Sequence, residues 1–161
     1  MIRRSPLIAV PMLALLVASC ASTPDQPSRP DRPDRPDLPS RQPTLVGTEW
    51  RLIHFQSSED SIGMIRPGRD EVYTLRLEPD GTLAAGLFCN RGSGRWTSAD
   101  SARSMGSITL ELKAVTMAAC PPSPLERIAR DLGNVRSFVI RDGRLHLNLV
   151  LDGGDYVWEP N

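Results

Sequence analysis

Leu87-Phe88-Cys89-Asn90-Arg91-Gly92-Ser93-Gly94-Arg95-Trp96 is the stretch around which the chain is organised. With Val115-Thr116-Met117-Ala118-Ala119-Cys120 it carries two of the three cysteines. The best-signalled helix follows directly after Cys120. In an exported chain an even pair of cysteines reads as a disulfide. A Cys89–Cys120 bridge would tie the middle of a β-sheet to the entrance of that helix. A redox-active pair is the alternative, but C-x-x-C spacing and an activating base are both missing.

Asn90 to Gly94 is glycine-rich and predicts a tight turn. Gly92-Ser93-Gly94 lacks the G-x-S-x-G spacing of a nucleophile elbow. No GK[ST] follows, so it is not a phosphate loop. Upstream, Thr82 to Cys89 pairs with Val72 to Leu77 across the turn signal Pro79-Asp80-Gly81. Tyr73, Leu75 and Leu77 share one face of that strand. Thr48 to Phe55 alternates, with Trp50 and Leu52 on one face and His54 continuing the pattern. Gln56 to Asp70 is polar and reads as a loop, and Leu45 opens the domain.

Downstream, Gly94 to Thr97 resumes a strand with Trp96 inward, Ser98 to Ser104 is loop, and Ile108 to Leu112 alternates. Ser123 is placed as an N-cap, with Pro124 at the first helical position and Glu126 completing a capping box. Leu125, Ile128, Ala129 and Leu132 form an apolar stripe for the sheet to cover. Gly133 supplies a left-handed stop. Three strands close the chain: Val135 to Ile140, Leu145 to Leu151 and Tyr156 to Trp158. They turn at Asp142-Gly143 and at Asp152-Gly153-Gly154. The expected fold class is α+β, a mostly antiparallel sheet curled into a partial barrel with one packed helix.

The N-terminal part has a different character. Met1 to Ser19 reads as a signal peptide. Arg3 and Arg4 are followed by an apolar run of about eleven residues, Leu7 to Val17, too short to span a bilayer. Leu16-Val17-Ala18-Ser19-Cys20 resembles a bacterial lipobox, which makes Cys20 the lipidation site. Ala21, in place of an Asp, points by the same resemblance to the outer membrane, with the protein facing the periplasm. Residues 20–44 are a tether built on the repeat Arg29-Pro30-Asp31, Arg32-Pro33-Asp34, Arg35-Pro36-Asp37. Proline at every third position blocks helix and sheet. A polyproline II spacer at about 3.1 Å per residue would reach roughly 70 Å.

Residues 45–161, about 117 of the 161, suffice for one modest core. The formal net charge of +0 and the 5% aromatic content exclude a nucleic-acid footprint, a polybasic membrane patch and a stacking platform. His54 and His146 lie far apart, each in a strand pattern. Two histidines and a cysteine pair lack zinc-site spacing. Asp80, Asp142 and Asp152 sit at turns. No catalytic residue, metal or cofactor is expected.

Gly47-Thr48-Glu49-Trp50, Cys89-Asn90-Arg91 with Ser93-Gly94, Thr116-Met117-Ala118 with Cys120, and the helix beyond resemble the META domain family, whose bacterial examples are HslJ-like lipoproteins. The resemblance spans residues 45–161. It implies a small β-rich domain with one helix, a paired cysteine matching Cys89 and Cys120, and an envelope role linked to heat-shock response, drug tolerance or secretion without enzymatic activity. Many members carry a glycine before the first cysteine, where this chain has Phe88. The reading is therefore a non-enzymatic binding or assembly module for envelope stress, monomeric, held to the membrane by its lipid, with an envelope protein as partner. The alternative is an inhibitor of a wall-degrading hydrolase such as lysozyme, with residues 56–70 as the plug.

Overall fold

The computed structural model describes residues 42–161. The segment expected to be a signal peptide, the expected lipidation site Cys20 and the Arg-Pro-Asp repeat lie outside the described residues.

The strands are β1 (Glu49–Gln56), β2 (Met64–Ile65), β3 (Tyr73–Leu77), β4 (Thr82–Leu87), β5 (Asn90–Thr97), β6 (Met105–Ser107), β7 (Thr109–Val115), β8 (Val135–Arg141), β9 (Arg144–Leu149) and β10 (Asp155–Pro160), with one helix, α1 (Ile128–Leu132). They form one sheet in the order β6-β8-β9-β10-β1-β3-β4-β5-β7, with β2 added beside β1. Neighbours are antiparallel throughout. The two ends of this order, β6 and β7, are consecutive in the chain. Between them the Ile108 amide donates to the Arg136 carbonyl at 3.0 Å. One strand run thus pairs β8 at its start and β5 along the rest, so the sheet curls into a nearly closed barrel. The α+β expectation is corrected here: α1 has five residues, and the fold is mostly β.

Alternation fills the barrel. Tyr73, Leu75 and Leu77 of β3, Leu83 and Leu87 of β4, and Leu145 and Leu147 of β9 point inward and are buried. Each such side chain stabilises the fold by about 1.5–3 kcal/mol through removal from water. β1 departs from simple alternation. Its pairing with β10 shifts between Leu52 and His54. Trp50, Leu52 and Phe55 are therefore the buried residues, and His54 does not continue their inward face. A bulge adds one residue to one strand and turns the following side chains over.

Other local expectations change for similar reasons. Residues 56–70 are not all loop, since Met64 and Ile65 pair back on Gln56 and Phe55. Asn90 to Gly94 is not the turn, because these residues pair with β4 from Leu87↔Asn90 onward. The turn is Phe88-Cys89. Gly94 suits a strand here because a Cβ would collide with the Glu111 backbone of β7. Asp142 and Gly143 both take positive φ, 51° and 72°, the I′ turn predicted from Asp-Gly. β9 ends at Leu149, and Val150–Asp152 forms a 3₁₀ turn that leaves Leu151 93% exposed.

The helix is shorter than its signals. The Ile128 amide bonds back three residues to the Leu125 carbonyl at 3.0 Å, so the first turn is not yet α-helical. Arg127 holds the N-cap position without a side-chain bond, and Gly133 has φ of −68°, not a left-handed stop. Leu125, Ile128 and Leu132 are nevertheless buried against the barrel. Asp131, 3% exposed, accepts from Arg127 Nε at 2.6 Å and from the Tyr156 hydroxyl at 2.7 Å. Arg127 also lies over the Phe55 ring, 5.3 Å from its centroid. The buried charge is thus paired, and it fastens α1 to β1 and β10.

Candidate functional site beside the disulfide

The β4–β5 turn presents Phe88 and Cys89. Phe88 has φ of 60° while Cys89 does not, the pattern of a II′ turn, whose first position favours glycine. That explains why a glycine suits the place before the cysteine. In this chain the strained backbone carries a ring that packs on the core and sits 6.4 Å from the Tyr73 ring.

Cys89 is bonded to Cys120, with Cα atoms 5.8 Å apart and a separation of 31 residues. The segment from Thr116 to Ser123 has no regular structure, and side chains replace a backbone ladder in holding it. Asn90 Oδ1 accepts from Thr116 Oγ1 at 2.9 Å and from the Ala118 amide at 2.8 Å. Its Nδ2 donates to the Ala118 carbonyl at 3.3 Å and to Cys120 Sγ at 2.9 Å. The Arg91 amide donates to Thr116 Oγ1 at 2.9 Å. Ser123 Oγ donates to Glu71 Oε2 at 2.9 Å and accepts from the Leu125 amide at 3.0 Å and from the Tyr73 hydroxyl at 2.9 Å. Burial, ahead of the nearby Glu71 carboxylate, pushes the Tyr73 hydroxyl pKa up, which keeps it a donor.

Between this segment, the β4–β5 turn and α1 lies a groove of about 340 Å³, walled by Leu87, Phe88, Val115, Met117, Pro121 and Ile128 among others. Its hydroxyl and amide side chains are bonded to each other. What the groove offers a ligand is mainly apolar surface, with the exposed Glu126 carboxylate at its edge. Met117 stands at its rim, 92% exposed. Ser123 has its proton on Glu71, and no histidine lines the groove. A larger, more open depression of about 740 Å³ lies between residues 42–46 and 101–104. It borders the part of the chain outside the described residues.

The two histidines, far apart in sequence, are brought together: His54 and His146 both pair with Val157, one from each side. Among the described residues no group of three or more His, Cys, Asp or Glu side chains is arranged to hold a metal ion. Reading the sequence missed the roles of Asn90, Glu71 and Ser123. Asn90 reads in the sequence as part of a turn and of a family motif, and Ser123 as a cap. The available signal was the polar pair Asn90-Arg91 directly after Cys89; Cys120, between Ala118-Ala119 and Pro121-Pro122, carried none.

These features define a class: a small antiparallel β-barrel whose irregular segment before the helix is stapled by a disulfide. The META domain family matches residues 43–156, and the chain belongs to it. The crystal structure of a DUF4847 family protein from Bacteroides vulgatus has a similar fold, with a TM-score of 0.52 at 13% identity over 73% of this chain and 94% of that one. No curated protein matches the sequence.

Proposed function

We propose that this protein is a lipid-anchored protein of the bacterial cell envelope whose META domain is a non-enzymatic binding module. Its ligand is an apolar segment of an envelope protein. The observation that carries this reading is the groove beside the disulfide, whose hydroxyl and amide side chains are bonded to one another while Leu87, Phe88, Val115, Met117 and Ile128 line it with apolar surface. Its volume falls within the usual range of ligand sites, about 300–1,000 Å³. A mobile thioether at the rim adapts to varied apolar partners. The lipobox at Cys20 and the proline-rich tether support the envelope location, and the family supports a role other than catalysis.

The test is photocrosslinking in cells, with a crosslinking amino acid at position 117 and, as control, at the exposed Leu151. A discrete protein adduct at 117 that is absent at 151 and lost in Val115→Asp supports the groove as the binding surface. Identical adduct patterns at the two positions would remove it.

A further inference from the structure

A second site lies away from the groove, at the tip of the β8–β9 hairpin. Asp155 Oδ2 and His146 Nδ1 are 2.7 Å apart, and Arg141 Nε donates to His146 Nε2 at 3.3 Å. The second bond requires a bare Nε2, so the ring carries its proton on Nδ1 and donates it to Asp155. A carboxylate that fixes a histidine's tautomer also fixes its orientation. Here the line continues one step further and orients a guanidinium through its Nε. The two η nitrogens of Arg141 are left without a protein partner among the described residues.

Arg144 stands directly opposite Arg141 across the two-residue turn. Like charges in that register repel. Neither arginine has a carboxylate within ion-pairing distance among the described residues, and Asp142, in the turn between them, pairs with neither. The positive potential continues across the sheet. Burial first, then the Arg66 and Arg144 guanidiniums, hold the His54 pKa below its ordinary value. Asp155 is the acidic member of the row, and its Oδ2 is taken by His146.

We infer that Arg141 and Arg144 together bind a phosphate-class oxyanion, with His146 and Asp155 as positioning residues. Two guanidinium forks at one register carry two charges, which a phosphomonoester dianion matches. One fork engages both oxygens of a carboxylate and neutralises its single charge, whereas a phosphate presents a further terminal oxygen and a second charge to the other fork. The ligand would also convert the repulsion at the hairpin tip into attraction.

The test is an NMR titration of the full chain in neutral detergent with inorganic phosphate, set against chloride at matched ionic strength. Saturable shifts confined to residues 141–146, with affinity reduced about tenfold or more in Arg144→Gln, are expected, given the weight of charge-assisted hydrogen bonds. Asp155→Asn should weaken binding less and move the Arg141 Nε resonance even without phosphate, which a merely structural role would not do. Both arginines are exposed, so their substitution leaves the core intact. A response to chloride equal to that to phosphate, or unchanged phosphate binding in the Arg141→Gln, Arg144→Gln double variant, would overturn the site. A second titration with short-chain phosphatidic acid separates two sources. Tighter binding than phosphate assigns the site to a lipid headgroup, and equal binding assigns it to free phosphate.

Discussion

The segment before α1 and the meander after it are neighbours in sequence held by different forces. β8, β9 and β10 are laced by backbone ladders, and their inward residues Phe138, Leu147, Tyr156 and Trp158 belong to the barrel core. The segment from Thr116 to Ser123 has no ladder. Beyond a single backbone bond from the Thr116 amide to the Arg91 carbonyl, it hangs on one disulfide, one asparagine and one Glu–Ser–Tyr network. In the meander, stability is spread over many contacts. In the segment it is concentrated in a few side chains, and its apolar surface is left available at the groove.

The sharpest way to break this contrast is to remove a core ring from the meander. Trp158→Ala should cost about 3–5 kcal/mol, the range for large-to-small core substitutions, and should lower the whole denaturation curve without a separate transition. Equilibrium urea unfolding followed by both far-UV and aromatic signals measures it. A loss below about 1 kcal/mol would mean that the core does not govern this region.

Cys120→Ala attacks the other side. For a loop closed by residues 31 apart, the chain-entropy argument gives roughly 3–4 kcal/mol, mostly through the unfolded state. Thermal melts with and without reductant should show the loss in the native protein on reduction and no further loss in the variant. A melting temperature insensitive to both changes would sink the structural role of the bridge. Asn90→Ala comes next, at about 0.5–1.5 kcal/mol, the net worth of a hydrogen bond whose partners water can reach. Its signature is local: faster hydrogen exchange at the Ala118 amide, which donates to Asn90, with exchange in β8–β10 unchanged. Acceleration across the barrel would show that segment and barrel are one cooperative unit, contrary to the contrast drawn above.

The same division explains what could be read in advance. Strand alternation and the Asp142-Gly143 turn are local signals, so the pairing of β3 with β4 and of β8 with β9 was legible, as was the Cys89–Cys120 pair. The helix signals at Ser123 and Glu126 were local as well, but they lost to tertiary demands: Ser123 is bonded to Glu71 and Tyr73, which lie in a distant part of the chain. The bulge after Leu52 is set by pairing with β10, whose sequence begins about a hundred residues later. Nothing within β1 announces it. Residues Asn90 to Gly94 looked like a turn because glycine usually marks one. Here glycine marks close approach instead, with β7 pressed against Gly94. The candidate site depended on three segments meeting, so only its cysteines were visible.

The smallest expected effect concerns the outer polar face that β1 shares with β10 of the meander, and it depends on pH. Burial first, and the neighbouring guanidiniums next, lower the His54 pKa from 6.5. The unfolded chain therefore binds the proton more readily than the native one just below pH 6.5, and stability must rise with pH through that window. Asp155 has the opposite sign. Burial, outweighing the His146 hydrogen bond that acts to lower it, raises its pKa above 3.8, so the native state holds the proton longer and stability falls as pH climbs from 3.8 through the raised value. Two slopes of opposite sign should appear in a series of urea midpoints from about pH 4 to 8. His54→Gln should flatten only the upper one, and Asp155→Asn should flatten the lower. The His54 contribution is modest because the ring is partly exposed and solvent screens it. An upper slope that survives His54→Gln would assign it to another group and would leave this outer polar face without influence on stability.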